Sequence, residues 1–165
     1  MGTADTVKPL AAVLEVRGLR LITAESCTGG MIAAACTDLA GSSSWFDRGV
    51  VTYSNDAKTE LLGVPAATIR RHGAVSEDVA RAMAIGAAKL TTKSVALSVT
   101  GVAGPTGGNV HKPVGTVCFG FSVDGVVTTC TQHFNGDRAA VRLQSTQFAL
   151  QELLRLLQAL LVANA

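Results

Sequence analysis

The chain has 165 residues, of which 48% are hydrophobic and 16% are charged, which excludes intrinsic disorder and is enough to bury the core of one domain. Its formal net charge is only +2, and its lysines and arginines do not interleave with aromatic residues, so nucleic acid is not expected as a partner. Neither a signal peptide nor an apolar run of about 18 residues is recognisable, and we therefore expect a cytoplasmic protein without a membrane partner.

Helices and strands alternate through the first part of the chain. Helices are predicted where apolar residues recur every three or four positions, and strands where β-branched and apolar residues run together. Ser76, followed by Glu77 and Asp78, is a good N-cap. The predicted elements are a helix over 4–16 ended by Gly18, a strand over 19–23, a helix over 31–39, a strand over 49–54, a helix over 57–62 capped by Asn55 or Asp56 and stopped by Gly63 and Pro65, a turn over 69–73, and a helix from Ser76 to about residue 90.

The second part adds a buried strand, a hairpin and a long helix. Residues 95–99 form a continuous apolar run, which is typical of a strand covered on both faces. Asp124 and Gly125 join segments 115–123 and 126–133 as a β-hairpin. A final amphipathic helix, capped by Asp137 and reaching about residue 162, has on its predicted buried side Leu143, Leu150, Leu153, Leu154, Leu157 and Leu161.

This order of elements predicts the α/β class. We expect a three-layer α/β/α sandwich with a mixed, mostly parallel sheet, in a single domain over residues 1–165.

Residues 24–30, Ala-Glu-Ser-Cys-Thr-Gly-Gly, are the most informative segment. They join a predicted strand to a predicted helix, so Ser26 and backbone N–H groups lie at the positive end of a helix dipole. This arrangement suits attack on a carbonyl, with the N–H groups of Cys27, Thr28 and Gly29 receiving the oxyanion, and it also suits the cradling of a phosphate. The alternative is that Ser26 only caps the helix.

A serine hydroxyl becomes a good nucleophile only when a neighbouring base takes its proton. The sequence gives little support to a Ser-His-Asp triad, but a lysine can serve as the base if its pKa is lowered. Tyr53 ends a predicted strand and Lys58 lies in the next helix, so both can flank one pocket, where Tyr53 would relay a proton or hold the amine. Alternatively, Lys58 is a solvated charge and Tyr53 a packing residue. We interpret Cys27 as packing rather than as a nucleophile.

Residues 100–108 form a glycine-rich loop after the buried strand, at the end where open α/β sheets bind ligands. The loop matches neither nucleotide-binding fingerprint, and the alternative is a plain mobile loop. Arg138 opens the last helix and can grip a phosphate, whereas Arg142, one turn later, is interpreted as exposed. The four cysteines and three histidines lack zinc-site spacing, so no metal and no cofactor is predicted.

Together these segments resemble the CinA C-terminal domain family, of the competence/damage-inducible protein CinA. The resemblance covers about residues 7–157 and rests on six segments in order: 24–30, 52–55 with Lys58, 73–76, 100–105, 113–117 and 136–138. It implies hydrolysis of the carboxamide of nicotinamide mononucleotide to nicotinate mononucleotide and ammonia, with Ser26, Lys58 and Tyr53 as the catalytic residues. The residues predicted to bind the substrate are Cys27, Thr28, Gly29, Gly30, Thr100, Gly101, Gly104 and Arg138.

Two other functions stay open from the sequence. One is a non-catalytic nucleotide-binding or interaction module of the kind associated with competence and DNA damage, which would be stabilised by the nucleotide without turning it over. The other is an amidase for a different pyridine or phosphoribosyl amide. The apolar composition and the long C-terminal helix predict a homo-oligomer.

Overall fold

The structure is a computed structural model, and it describes residues 2–163. The described residues form five strands, six α-helices and one short 3₁₀ turn at Ser42–Ser44. In chain order the elements are α1 (Thr3–Arg17), β1 (Arg20–Glu25), α2 (Met31–Thr37), β2 (Phe46–Val51), α3 (Asn55–Leu62), α4 (Ala66–His72), α5 (Glu77–Ala88), β3 (Ser94–Gly101), β4 (Thr116–Val123), β5 (Val126–His133) and α6 (Arg138–Ala163).

The five strands form one mixed sheet in the order β2-β1-β3-β4-β5. β1 pairs in parallel with both β2 and β3, and β4 runs antiparallel to both of its neighbours, so four of the five strands point the same way. Glu25 lies opposite Val51 on one side and Val99 on the other. The carboxyl ends of β1, β2 and β3 therefore meet at one edge of the sheet, where the site described below lies.

Helices cover both faces of the sheet, which confirms the predicted three-layer sandwich. One apolar core joins α1, α2 and α6 to side chains such as Leu97 and Phe119, and the other joins α3, α4 and α5 to Ile22 and Ala96. Successive residues of a strand point to opposite faces, so neighbours such as Ala96 and Leu97 divide between the two cores. Among residues 2–163, no helix is long and apolar enough to cross a membrane.

Two predicted boundaries in the segment after α2 are wrong for local reasons. The second strand is Phe46–Val51 rather than 49–54, because pairing with β1 begins at Phe46 and the chain then turns so that Ser54, not Asn55 or Asp56, caps α3. Residues predicted as a turn belong to helix α4, which begins after Pro65; the carbonyl of Pro65 accepts the N–H groups of Thr68 and Ile69.

The long helix α6 is where predicted, but its buried face is shifted. Asp137 accepts the N–H of Ala140 as expected for a cap, and Leu150, Leu153 and Leu157 are buried. Leu143 and Leu161 were assigned to the same face, yet they are 47% and 45% exposed.

Candidate active site

Ser26 follows directly after β1 and begins a tight turn into α2. Its N–H donates to the carbonyl of Val99 at 3.0 Å, which fixes it to the neighbouring strand. Gly29 and Gly30 have φ angles of 57° and 101°, a left-handed conformation that side chains other than glycine rarely adopt. The two glycines thus let the chain reverse within a few residues, and Ser26 is held, nearly buried, beneath the carboxyl edge of the sheet.

The turn is organised by a residue that sequence reasoning missed, Glu25. Its fully buried carboxylate accepts the Thr28 hydroxyl at 2.7 Å and the N–H groups of Gly30, Ile32 and Ala33 at 3.2, 2.9 and 3.0 Å. An anion at a helix N-terminus is favoured by the helix dipole, and an acidic residue just before a serine-glycine turn was the available signal.

This carboxylate changes what the helix N-terminus can bind. The N–H of Met31 is also taken, by the carbonyl of Thr28, so the N–H groups of residues 30–33 all have acceptors within the chain. A phosphate would need the same N–H groups and would face the Glu25 charge. The start of α2 is therefore suited to hold the turn in shape rather than to cradle a phosphate.

Among the described residues, no neighbouring residue accepts the backbone N–H groups of Cys27 and Thr28, but Thr28 is fully buried and of the two only Cys27 lines the cavity described below. The third predicted oxyanion donor, Gly29, donates its N–H to the carbonyl of Ser26 at 3.1 Å. Of the three predicted donors, the Cys27 N–H is thus the one available to stabilise an oxyanion in that cavity. The Thr28 side chain is buried on Glu25, and the Cys27 thiol has a pKa raised to about 11 because burial disfavours the thiolate, so neither side chain suits a nucleophile.

Lys58 comes from α3 and reaches Ser26. Its Nζ lies 3.0 Å from Ser26 Oγ and donates to the carbonyl of Thr52 at 2.8 Å. The side chain is 1% exposed, and no salt bridge within residues 2–163 involves it. Burial lowers the pKa of the Lys58 amine, opposed weakly by the Cys27 thiol. A buried amine with a lowered pKa and a hydroxyl within hydrogen-bond range can act as a general base.

Tyr53 lies at the mouth of the same cavity but does not contact the amine through a hydrogen bond. Its side chain is 61% exposed, and its hydroxyl accepts from Arg138 Nη2 at 2.8 Å. Arg138 Nη1 donates to the carbonyl of Gly104 at 2.9 Å. The amine of Lys58 is therefore held by the Thr52 carbonyl and not by Tyr53. Arg138 links Tyr53 to the glycine-rich loop.

The glycine-rich loop forms the opposite wall. The Thr100 hydroxyl donates to the carbonyl of Ala74 at 2.8 Å and so holds the segment before α5 against the site. A Cβ at Gly101 would lie 2.7 Å from Val117 Cγ2, so this glycine permits close packing against β4. The resulting cavity has a volume of about 230 Å³ and is lined by Ser26, Cys27, Tyr53, Asn55, Lys58, Ala74, Val75, Thr100, Gly101, Ala103 and Arg138.

A larger cleft of about 630 Å³ adjoins this cavity and shares Ala103 and Arg138 with it. Gly104 lines the cleft rather than the cavity, together with Asp137 and Arg142. Of the predicted site residues, Thr28, Gly29 and Gly30 line neither space. Among residues 2–163, no group of three or more His, Cys, Asp or Glu side chains is placed to hold a metal ion.

Arg142 is the second residue whose place the sequence did not indicate. It was interpreted as an exposed arginine, but it is half-buried, and its Nε and Nη2 donate to the carbonyls of Cys27 and Thr28 at 3.0 and 3.2 Å. A contact across more than a hundred positions leaves no local signal in the sequence.

Comparison with known proteins identifies relatives, among them proteins of similar length. Residues 4–157 match the family model of the CinA C-terminal domain. The nicotinamide-nucleotide amidohydrolase PncC of Enterobacter agglomerans is 57% identical over 147 residues, which cover 88% of this chain and 90% of that protein. PncC of Escherichia coli K12 is 54% identical over 141 residues, covering 85% and 86%. A longer CinA-like protein of Citrifermentans bemidjiense is 53% identical over 148 residues, 90% of this chain but 36% of that protein.

Solved structures share the fold. A competence-damaged protein (CinA) superfamily protein from Klebsiella pneumoniae superposes with a TM-score of 0.92 at 40% identity, covering 96% of this chain and 99% of that one. The competence/damage-inducible protein CihA of Agrobacterium tumefaciens gives a TM-score of 0.89 at 41% identity, covering 94% and 95%.

Proposed function

Because the chain belongs to the CinA C-terminal domain family, we propose that it hydrolyses the carboxamide of nicotinamide mononucleotide, giving nicotinate mononucleotide and ammonia. Relatives that match most of the chain are named for an amidohydrolase acting on nicotinamide nucleotide. The observation that carries the chemistry is the 3.0 Å separation of a buried lysine amine from a serine hydroxyl.

The first half of the reaction is acyl transfer to Ser26. The neutral Lys58 amine takes the hydroxyl proton, and Ser26 Oγ forms a bond to the carboxamide carbon. The developing oxyanion lies against the N–H of Cys27, which lines the cavity beside Ser26. When the tetrahedral intermediate collapses, the C–N bond breaks, and the proton held by Lys58 passes to the nitrogen, directly or through the Tyr53 hydroxyl, so that ammonia leaves.

The second half restores the enzyme. Water attacks the acyl carbon and gives a proton to Lys58, and the oxyanion again lies against the Cys27 N–H. The ester bond to Ser26 then breaks, Ser26 recovers the proton from Lys58, and the nicotinic acid group loses its own proton to solvent and leaves as the carboxylate. The reaction needs no cofactor, since serine and lysine supply the nucleophile and the base.

The adjoining cleft suits the ribose and phosphate. Pockets for ligands of this size usually occupy about 300–1,000 Å³, and the 230 Å³ cavity and its 630 Å³ neighbour together fall within that range. Arg138 stands where the two spaces join and offers a guanidinium to the phosphate. Binding of this remote group would orient the carboxamide at Ser26.

The test is ammonia release by the purified protein from a panel of nicotinamide, its riboside, its mononucleotide and its dinucleotide. We expect the mononucleotide to be preferred and Ser26→Ala to lose nearly all turnover, while Ser43→Ala, an exposed control, keeps it. Folding is checked by far-UV circular dichroism. Binding of the mononucleotide without ammonia release would favour the non-catalytic module, and preference for another amide would change the substrate.

We also propose that the protein is a cytoplasmic homo-oligomer. Its four cysteines are free thiols, which fits a reducing compartment, and Leu143, Leu161 and Val162 leave apolar surface along the exposed side of α6. Light scattering coupled to size-exclusion chromatography would give the number of subunits, and a monomer at micromolar concentration would contradict the proposal.

A further inference from the structure

Arg142 binds the backbone of the nucleophile turn, which we define as residues 26–30. It reaches the turn from the second helical turn of α6, and its two donated hydrogen bonds end on successive carbonyls, those of Cys27 and Thr28. No salt bridge within residues 2–163 involves Arg142. The polar partners recorded for this cation are thus the two carbonyls.

Holding a carbonyl also sets the direction of the N–H in the same peptide unit. A peptide unit is planar and trans, so its C=O and N–H point in opposite directions. The carbonyl of Cys27 shares its unit with the N–H of Thr28. The carbonyl of Thr28 shares its unit with the N–H of Gly29, which donates to the carbonyl of Ser26, and that carbonyl shares its unit with the Cys27 N–H. Arg142 therefore fixes the orientation of two consecutive peptide planes.

The turn needs such support because its sequence is permissive. Gly29 and Gly30 have few steric restrictions, and a peptide plane between flexible residues can rotate at low cost. Glu25 holds the N–H groups that follow the glycines, at Gly30, Ile32 and Ala33. The Cys27–Thr28 plane lies outside that set, and its carbonyl is held by Arg142.

We propose that Arg142 is a positioning residue that, through the Thr28 carbonyl and the Gly29–Ser26 hydrogen bond, keeps the Cys27 N–H directed at the oxyanion, an inference that rests on the proposed function. Arg142 lines the cleft next to the reaction cavity, but its bonds to the turn assign it to the chemical step rather than to phosphate binding. Its two donors belong to one rigid planar group and so meet the two carbonyls in a fixed relative orientation, whereas a lysine ammonium is a point charge with rotatable donors.

The experiment compares Arg142→Ala and Arg142→Lys with Arg155→Ala, a matched control that removes an exposed arginine of the same helix. Turnover of nicotinamide mononucleotide gives kcat and KM, and calorimetry with the same nucleotide in a Ser26→Ala background gives its Kd. We expect Arg142→Ala to lower kcat by about 10²-fold, the effect of losing one oxyanion donor, with Kd little changed. Arg142→Lys should be intermediate, and added guanidinium ion at millimolar concentration should restore part of the Arg142→Ala rate.

A Kd that rises strongly with kcat retained would overturn the proposal and make Arg142 a phosphate ligand. A rate loss without guanidinium rescue, in step with a loss of folded protein, would overturn it in favour of a purely structural role. Hydrogen exchange of residues 26–33 is read in parallel: faster exchange confined to this segment in Arg142→Ala supports the clamp, and unchanged exchange contradicts it. This readout still decides if the wild-type chain releases no ammonia, a result that would remove the proposed function alone.

Discussion

At the scale of single residues, the chemistry depends on the charge state of Lys58. Burial stabilises the neutral amine, so the pKa of Lys58 lies below the ordinary value of a lysine. The amine accepts a proton from Ser26 only when it is neutral. The same burial that makes Lys58 costly to the fold favours the neutral amine that the proposed base requires.

This shift predicts a pH dependence of the rate. We expect kcat/KM to rise with pH as Lys58 loses its proton, and to level off below the pH at which a free lysine would titrate. A rate profile from pH 5 to 10 measures it. A rate that is flat over the whole range, or that falls as the pH rises above neutrality, would contradict a lysine base.

The same shift predicts a pH dependence of stability. Between the lowered pKa of folded Lys58 and the ordinary pKa of the unfolded chain, the unfolded state binds more protons, so stability rises with pH in that window. The free energy of unfolding of the wild type relative to Lys58→Met should therefore increase as pH rises, by about 1.4 kcal/mol per unit of pKa shift. Urea unfolding of both proteins at several pH values tests it, and a difference independent of pH would contradict the shift.

Among the residues that do not react, we expect Glu25 to be the one whose replacement by a neutral side chain lowers the stability of the fold most. In Glu25→Gln the amide keeps one acceptor oxygen and brings two donors toward N–H groups, so buried donors lose their partner. Hydrogen bonds to a charged group contribute about 1.5–3 kcal/mol each, and we expect a loss of stability of at least this size together with a lower kcat. Glu152→Gln, which breaks an exposed ion pair, should cost about 1 kcal/mol or less. Equal stability of the two variants would contradict the assigned role.

At the scale of elements, α3 must be held in place for Lys58 to reach Ser26. Helix α5 crosses the end of α3 at Gly86, where an added Cβ would lie 1.9 Å from the carbonyl oxygen of Leu62. The absence of a side chain there lets the two backbones touch. The position of Lys58, the proposed base, therefore depends on a glycine that lies outside the cavity lining.

Gly86→Ala is predicted to move α3 away from α5. Alanine is the better helix former, so a purely local effect would stabilise the protein. Overpacking typically costs about 1–3 kcal/mol. We expect the free energy of unfolding to fall by an amount in that range and kcat to be reduced. The substitution changes neither the charge nor the cysteine content of the chain. Ala12→Gly, at an exposed interior position of α1, serves as a comparison for helix propensity. A more stable, fully active Gly86→Ala would show that the contact does not position Lys58.

Sequence patterns predicted the elements better than their ends. The caps at Gly18, Ser76 and Asp137 depend on local residue types, and the structure confirms them. The second strand lies earlier in the chain than the sequence predicts. Its ends are set by pairing with β1, which no local pattern encodes. Helix α4 was missed because its short sequence has little periodicity and is instead started by Pro65.

At the scale of the whole molecule, the sheet brings the site together. Residues 26, 52 and 100 are far apart in sequence but lie side by side, since the carboxyl ends of three parallel strands share one edge. The sequence could therefore predict which loops meet. It could not show that Glu25 and Arg142 hold the nucleophile turn, because those contacts depend on burial and on a partner more than a hundred residues away.

The proposed role of Lys58 as a neutral base for Ser26 is tested by replacing Lys58 with arginine. Arginine keeps a positive charge near Ser26 but does not lose its proton in proteins. The measurement is kcat for ammonia release from nicotinamide mononucleotide by Lys58→Arg, Lys58→Met and the exposed control Lys89→Ala. We predict that both Lys58 variants lose about 10⁴-fold or more while the control keeps its rate. A folded Lys58→Arg protein that retains most of the wild-type rate would contradict the claim, since a cation alone would then suffice.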